Sequence, residues 1–364
     1  MLDRRHSRKD RGAAMRVKRM NIAHIDMRNL KWRKDACPVL GCNASLEKAP
    51  SQWGPMPYCP VHCIRLHRNQ SFVYYNGSDR DSKKAAALRN ILFERNYFAG
   101  HILGNAAKAE SHRICHETSE DALTWNVFSR LAKENLLRRL ASCVTGRNLT
   151  KDPELYLWGL RVSLDDSSRP LPFPALEKAR EDFERDIKRF QTEPDIMLYV
   201  PGQLLLLVEA KFTSGNTVAI ANTSDEKPGE KPKSRDGILQ RYATAKLPLG
   251  ALTPDAGASP FFYSQLYRNL VFAIHMAEQL GVEWAVANLV SEQQCLQSRR
   301  AEYPEYRDPT EFIRSVLPGN SHQRFIRYKW EQIFSRHVQD VPRLDDLADY
   351  MRYKSAYCSK AFGI

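Results

Sequence analysis

The chain has 364 residues, and its hydrophobic fraction of 43% is normal for a folded protein and excludes a globally disordered one. Lysine and arginine number 55 against 42 acidic residues, and this net charge of +13 predicts a polyanionic partner, most often nucleic acid. Because no apolar run reaches the roughly eighteen residues of a membrane span, and the N-terminus lacks the apolar segment of a signal peptide, we expect a cytoplasmic protein without membrane contact.

The first 36 residues form a predicted basic arm. Arginine and lysine recur along it while hydrophobic residues are sparse. This composition is typical of a segment that folds only on contact with a phosphate backbone. A solvated tail is the alternative interpretation.

Cysteines cluster directly after this arm. Four residues separate Cys37 from Cys42, and after sixteen more the stretch Cys59-Pro-Val-His62-Cys63 follows. Two ligand pairs joined by a spacer are the arrangement that a structural, tetrahedral Zn²⁺ requires. We predict Cys37, Cys42, Cys59 and His62 as the ligands, with Cys63 as the alternative to His62 and His67 as a more distant candidate. A group of reduced, buried thiols is the interpretation without metal.

The remaining elements are predicted from periodicity, turn residues and helix caps. In chain order they are a strand over 71–77, a linker helix over 83–94, a long helix over 119–142, a strand over 156–164, a helix over 176–190, an apolar hairpin over 196–210, an unstructured lid loop over 213–258, a helix over 261–280, a strand over 283–291 and helices thereafter. Ser119 is the predicted cap of the long helix, with Glu120 and Asp121 in its first turn, where the helix dipole favours acids.

The hairpin carries the most informative motif. Asp195 follows a proline and precedes one apolar strand, and a second strand, after a Pro-Gly turn, ends in Glu209-Ala210-Lys211. Because strand residues alternate between faces, Glu209 and Lys211 point the same way, and the hairpin returns Asp195 beside them. Two carboxylates and an ammonium group at the end of a buried sheet are costly unless a cation and an anion fill the gap. This layout predicts a Mg²⁺ site that hydrolyses a phosphodiester.

The motif and the order of elements from residue 119 to 291 resemble the PD-(D/E)XK nuclease superfamily, the fold of many restriction endonucleases and DNA-repair nucleases. The resemblance implies an α/β fold with a restriction-endonuclease-like mixed central sheet flanked by helices. It also implies that Asp195 and Glu209 are the metal-binding acids, that the carbonyl of Ala210 is a further Mg²⁺ or Mn²⁺ ligand, and that Lys211 lies beside the attacking water.

Two further residues follow from the resemblance. Glu120 on the first core helix would be another catalytic acid, although either it or Asp121 could simply stabilise the helix start. Gln265 matches a glutamine that certain members place on the second core helix, while Asn269 stands where those members often have tyrosine. The implied domains are a basic arm over 1–36, a zinc-binding module with a linker helix over 37–110, a nuclease core over 111–300 and a helical C-terminal extension over 301–364.

The expected function is therefore that of a metal-dependent endonuclease. The resemblance favours DNA over RNA as substrate, implies a role in restriction or phage defence, and is compatible with a homodimer or a defence-system partner protein. DNA repair or recombination is the alternative role. The competing classes are a zinc protein that binds nucleic acid without cutting and a subunit that cuts only with a partner. If the motif has no catalytic function, Asp195, Glu209 and Lys211 would form an inert network of salt bridges on the surface.

Overall fold

The computed structural model describes residues 35–51, 54–67, 71–103, 113–164, 169–188, 191–219, 229–242, 246–253, 259–296, 302–357 and 363–364. All but the last two residues of the predicted basic arm lie outside these ranges. The chain divides into two compact units, the first ending at Ala122 and the second running from Leu123 to Ser355. Within the described ranges, no helix combines the length and the hydropathy that crossing a membrane requires.

The first unit is built on an antiparallel sheet. Its strands are β1 (Glu47–Ala49), β2 (Met56–Cys59), β3 (Ile64–His67) and β4 (Ser71–Tyr74), in that spatial order. Helix α1 (Arg80–Leu88) follows, and α2 (Arg95–Tyr97) continues as a π-helical turn over Phe98–Ile102. The strand predicted over 71–77 is confirmed as β4. The linker helix, predicted over 83–94, begins three residues earlier and ends six residues earlier, at Leu88. It begins earlier because Asp79 caps it, accepting a hydrogen bond from the Ser82 main-chain nitrogen at 2.9 Å.

The second unit contains a six-stranded mixed sheet. Its strands are β5 (Glu154–Leu157), β6 (Leu160–Arg161), β7 (Ile196–Val200), β8 (Leu204–Ala210), β9 (Glu283–Val290) and β10 (Phe325–Lys329), in the spatial order β10-β9-β8-β7-β5-β6. Strands β5, β7 and β8 form an antiparallel meander. Strand β9 then pairs parallel to β8, and β10 parallel to β9.

Helices cover both faces of this sheet. From residue 120 onward the described α-helices are α3 (Glu120–Lys133), α4 (Leu137–Thr145), α5 (Pro174–Glu184), α6 (Arg235–Tyr242), α7 (Ser264–Leu280), α8 (Glu292–Leu296), α9 (Thr310–Val316), α10 (Trp330–Ile333) and α11 (Asp345–Tyr357). Leu205 and Leu207 of β8 share one buried cluster with residues of α5 and α7. Leu206 and Val208 point the other way and line a small cavity with residues of α3 and α4. The predicted mixed sheet flanked by helices is confirmed.

Two predicted elements are each broken in two. The long helix over 119–142 is α3 followed by α4, because Asn135 adopts a left-handed conformation with φ of 55° and ends the first helix. The strand over 156–164 turns back through Trp158 and Gly159, whose φ values are 52° and 78°, to form the β5–β6 hairpin. Positive φ at consecutive residues is the geometry of a tight hairpin turn.

Two segments contain more structure than predicted. The segment over 213–258, expected to be an unstructured lid, contains helix α6, whose start is capped by Ser234 Oγ accepting from the Gly237 main-chain nitrogen at 3.1 Å. The C-terminal extension, predicted as helical, also contributes β10 to the sheet. A strand at a sheet edge gains its hydrogen bonds from a distant partner, so local periodicity did not indicate it.

Candidate active site and metal centre

Asp195 lies directly before the first residue of β7, and β8 extends two residues beyond its last pairing with β7. Ile196 pairs with Val208, and β8 runs on to Ala210. Asp195 Oδ2 accepts a hydrogen bond from the Ala210 main-chain nitrogen at 2.9 Å, replacing the partner that β7 does not supply. Since the N–H and C=O of a strand residue point to the same neighbour, the Ala210 carbonyl faces the side of Asp195.

Glu209 and Lys211 form a buried ion pair. Only 3% of Glu209 and 6% of Lys211 are exposed, and Lys211 Nζ donates to Glu209 Oε1 at 2.6 Å. The other carboxylate oxygen, Oε2, accepts from Asn269 Nδ2 at 2.8 Å. Because both side chains are buried, the interpretation of the motif as a surface salt-bridge network is wrong. Each carboxylate oxygen has a second lone pair, so these contacts leave acceptor capacity for a cation.

A second group of side chains forms hydrogen bonds with the main chain at the end of β8. Asn288 of β9 donates to the main-chain oxygen of Glu209 at 3.3 Å and exchanges two side-chain hydrogen bonds with Asn216, at 2.9 and 3.0 Å. Trp330 donates from Nε1 to the main-chain oxygen of Lys211 at 3.0 Å. These contacts fix the backbone of the motif on the side of β9 and α10.

The two remaining predicted site residues are Gln265, on α7, and Glu120, on α3. Gln265 is half-buried one helical turn before Asn269 on α7, and its Oε1 accepts from Thr217 Oγ1 at 2.8 Å. Asn269, and not Gln265, donates to Glu209. Glu120 is half-buried in the first turn of α3, at the end of the first unit. The predicted cap is confirmed, since Ser119 Oγ accepts from the Ala122 main-chain nitrogen at 3.2 Å. Catalytic roles for Glu120 and Gln265 stay predictions.

Protein-family models, curated proteins and solved structures give no match to this chain. A functional assignment therefore depends on the geometry of the site itself. Asn288 and Trp330 were missed because no local motif marks them, and Asn269 was noted only as a departure from the family pattern. Their contribution comes from contacts across α7, β9 and α10, which only the fold brings to β8.

Removal of the Asn269 side chain should destabilise the second unit. In Asn269→Ala the buried Glu209 carboxylate loses a neutral donor, which costs about 1–3 kcal/mol for a buried polar group. The free energy of unfolding in urea measures this loss. Gln265→Ala, one turn earlier on the same helix and half-exposed, is the matched control and should change the free energy of unfolding much less. Equal stability of the two variants would contradict the role of Asn269.

The first unit holds a second polar cluster, in which four side chains converge. The ligand atoms of Cys37, Cys42, Cys59 and His62 all lie within 4.8 Å of one another. His62 Nδ1 is 3.4 Å from Cys37 Sγ and 3.7 Å from Cys59 Sγ, and the Sγ atoms of Cys42 and Cys59 are 3.8 Å apart. Neighbouring ligands of a tetrahedral zinc with sulfur bonds of about 2.3 Å lie roughly 3.5–3.8 Å apart. The cluster could therefore bind a structural metal ion.

Cys63 is not part of this cluster, so the alternative ligand set is wrong. Its Sγ points to the Pro60 carbonyl at 3.8 Å and packs with Tyr58 in a small apolar cluster. The main chain at Cys63 adopts a left-handed conformation, with φ of 50°. Burial raises the pKa of the Cys37 and Cys59 thiols and lowers that of His62. Metal binding would release the thiol protons.

Arg89 braces the turn that carries His62. Its guanidinium is buried, donates to the main-chain oxygens of His62 at 2.7 Å and Cys63 at 2.9 Å, and stacks 4.6 Å from the Tyr74 ring centroid. A planar guanidinium spans two carbonyls at once, which an ammonium group cannot do.

Arg89→Ala should destabilise the first unit and weaken its metal affinity. Each hydrogen bond from a charged donor contributes about 1.5–3 kcal/mol, so a loss of about 3 kcal/mol or more is expected. Thermal unfolding and a chelator competition titration measure the two effects. Arg89→Lys keeps the charge and should recover only part of the loss. Unchanged metal affinity in Arg89→Ala would show that the turn does not depend on this side chain.

Proposed function

We propose that this protein is a divalent-metal-dependent nuclease that hydrolyses phosphodiester bonds of DNA, with a restriction-endonuclease-like fold in its second unit. The hydrogen bond between Asp195 and Ala210, which lies between the paired residues Glu209 and Lys211, carries this proposal. The antiparallel meander β5–β7–β8 followed by the parallel strand β9 supports the fold assignment. A role in restriction or phage defence belongs to the same proposal and rests on the family resemblance alone.

The donor set suits a hard divalent cation. The Asp195 and Glu209 carboxylates and the Ala210 carbonyl are the oxygen ligands that Mg²⁺ or Mn²⁺ prefers, and they would hold the ion while leaving positions for water and a phosphate oxygen. When bound, such a metal lowers the pKa of water and neutralises negative charge on a phosphate. Asp195, Glu209 and Lys211 together carry one net negative charge, so a divalent cation leaves the site positive and able to bind a phosphate anion.

Lys211 is suited to orienting the reactants. Its ammonium group carries three donor hydrogens on a flexible stem, and one of them is donated to Glu209. Two hydrogen bonds hold the main chain of Lys211 in place. Its main-chain oxygen accepts from Trp330 Nε1, and its main-chain nitrogen donates to the Leu289 oxygen at 2.7 Å. Such prior positioning is how a site lowers the cost of reaching the transition state.

The metal of the first unit is proposed to be Zn²⁺ in a structural role. Three thiolates and one imidazole are the soft and intermediate ligands that zinc accepts, and they fill all four tetrahedral positions. A closed site of this kind leaves no position for a substrate. It would instead stabilise the first unit by linking the segments that carry Cys37, Cys42, Cys59 and His62.

The nuclease proposal is tested with a DNA duplex and an RNA of the same sequence. The purified protein is incubated with each substrate in Mg²⁺, Mn²⁺ or Ca²⁺, and products are separated on a denaturing gel. Cleavage of DNA in Mg²⁺ or Mn²⁺ with little cleavage in Ca²⁺ is expected. A protein that binds the DNA but does not cut it under any of these conditions would favour the binding-only or partner-dependent classes.

A further inference from the structure

A concave pocket of about 360 Å³ lies in the first unit, apart from the Cys/His cluster. Its walls come from β3, β4 and α1, and its polar and aromatic lining consists mainly of Arg65, His67, Tyr74, Tyr75, Lys83 and His116. None of the four clustered metal ligands lines it. The nuclease site and the metal cluster therefore leave this pocket without a function.

Four of the residues that line the pocket carry rings, namely His67, Tyr74, Tyr75 and His116. Tyr75 is half-buried, and its ring stands nearly perpendicular to that of Tyr58 with centroids 5.5 Å apart, which holds its orientation. The rings of His67 and His116 meet edge-on at 5.9 Å. Rings held in this way offer a planar ligand a stacking surface at little cost in side-chain entropy.

The charge of the pocket is positive. Arg65 and Lys83 line it, and no aspartate or glutamate occurs among the described residues of its wall. The Arg65 guanidinium lies 5.0 Å from the Tyr75 ring centroid and donates from Nη1 to the Pro50 oxygen at 2.6 Å. Its Nε is buried and has no hydrogen-bond partner within the described part of the chain. A buried donor without an acceptor is costly, and an anionic oxygen would relieve that cost.

We propose that this pocket binds one unpaired nucleotide of a nucleic-acid strand. The base would stack on the Tyr75 and histidine rings, and its phosphate would lie at Arg65 and Lys83. The volume falls at the lower end of the range for small-ligand sites, which suits a single nucleotide. A base that is paired within a duplex cannot enter such a pocket. The inference depends on the proposed nucleic-acid substrate and adds a preference for strands with an unpaired base.

The test compares a duplex that carries one unpaired 2-aminopurine with its fully paired counterpart. Binding of the full-length protein is measured in Ca²⁺ without Mg²⁺, together with quenching of the 2-aminopurine fluorescence by stacking. We expect about tenfold tighter binding of the unpaired duplex, as one base–aromatic stack supplies. Tyr75→Leu and Lys83→Glu should bring this ratio close to one and abolish the quenching.

Lys84→Glu is the matched control, because Lys84 is the next residue of α1 and does not line the pocket. It should weaken both duplexes equally and leave their ratio unchanged. Zinc content and thermal unfolding confirm that each variant is folded. A wild-type ratio of one, or a ratio that survives both Tyr75→Leu and Lys83→Glu, would overturn the proposal. So would equally tight binding of free adenosine monophosphate, which would assign the pocket to a free nucleotide.

The outcome is separable from that of the nuclease proposal, because the binding assay contains no cleavage step. A protein that prefers the unpaired duplex but does not cut in Mg²⁺ would retain the pocket and refute the nuclease. A protein that cuts in Mg²⁺ but binds the two duplexes equally would support the nuclease proposal and refute the nucleotide pocket.

Discussion

Asp195→Asn is expected to abolish metal-dependent cleavage while leaving the free energy of unfolding almost unchanged. The asparagine Oδ1 can still accept the hydrogen bond from the Ala210 main-chain nitrogen, so the contact between the start of β7 and the end of β8 is kept. What is lost is the negative charge that a divalent cation requires. Removal of one strongly interacting group at a catalytic centre typically lowers the rate by about a hundredfold or more. Single-turnover cleavage and urea unfolding measure the two quantities in parallel.

Glu193→Gln is the control for this prediction, since it removes the same charge from the same segment two residues earlier. Its single-turnover cleavage rate should be close to that of the wild type. An Asp195→Asn protein that cuts as fast as wild type would show that Asp195 is not a metal ligand.

Lys211→Ala is a less clean test of the same site. The reason is that both members of the Glu209–Lys211 ion pair are buried. Breaking a buried ion pair by removing one partner costs about 3–5 kcal/mol, because the remaining charge is left uncompensated. The double variant Glu209→Gln/Lys211→Met should regain much of that stability and remain inactive. Loss of activity in Lys211→Ala alone would therefore not separate chemistry from folding.

Cys42→Ser is expected to remove the metal from the first unit and to unfold it. A structural zinc contributes about 10–16 kcal/mol to folding in zinc-finger peptides, far more than the packing of a small sheet can replace. Elemental analysis should find about one zinc per chain in the wild type and much less in the variant. A chelator should reproduce the effect in the wild-type protein.

Cys63→Ser is the matched control, because Cys63 lies near the cluster in sequence but its Sγ points to Pro60. A serine hydroxyl can also donate to that carbonyl, so metal content should remain at the wild-type level. Loss of zinc in Cys63→Ser, or its retention in Cys42→Ser, would contradict the ligand set Cys37, Cys42, Cys59 and His62.

The parts of the site that could be predicted from the sequence are those set by short spacings. The hairpin that brings Asp195 to β8 follows from two apolar runs and a Pro-Gly turn, and the register of β7 and β8 is fixed by that turn. The Cys37 and Cys59 pairs are likewise local. The choice between His62 and Cys63 could not be made from spacing. The two residues are adjacent in the sequence, and only the fold shows that His62 joins the three cysteines while Cys63 Sγ contacts the Pro60 oxygen.

The parts that could not be predicted depend on contacts between distant segments. Asn269 donates to Glu209 because α7 packs on the face of β8 that carries residues 205, 207 and 209. The partner of Lys211 in the C-terminal segment, Trp330, is 119 residues away along the chain. Strand β10 formed where helices were predicted because pairing with β9 outweighs local preference.

The most direct measurement is the incubation of supercoiled plasmid with wild-type protein and with Asp195→Asn, each in Mg²⁺ and in excess chelator. We expect nicked or linear plasmid with the wild type in Mg²⁺ only, and intact plasmid with Asp195→Asn in both conditions. Cleavage by the wild type that persists in chelator, or cleavage by both proteins at the same rate, would contradict the assignment of a metal-dependent nuclease site to Asp195, Glu209 and Lys211.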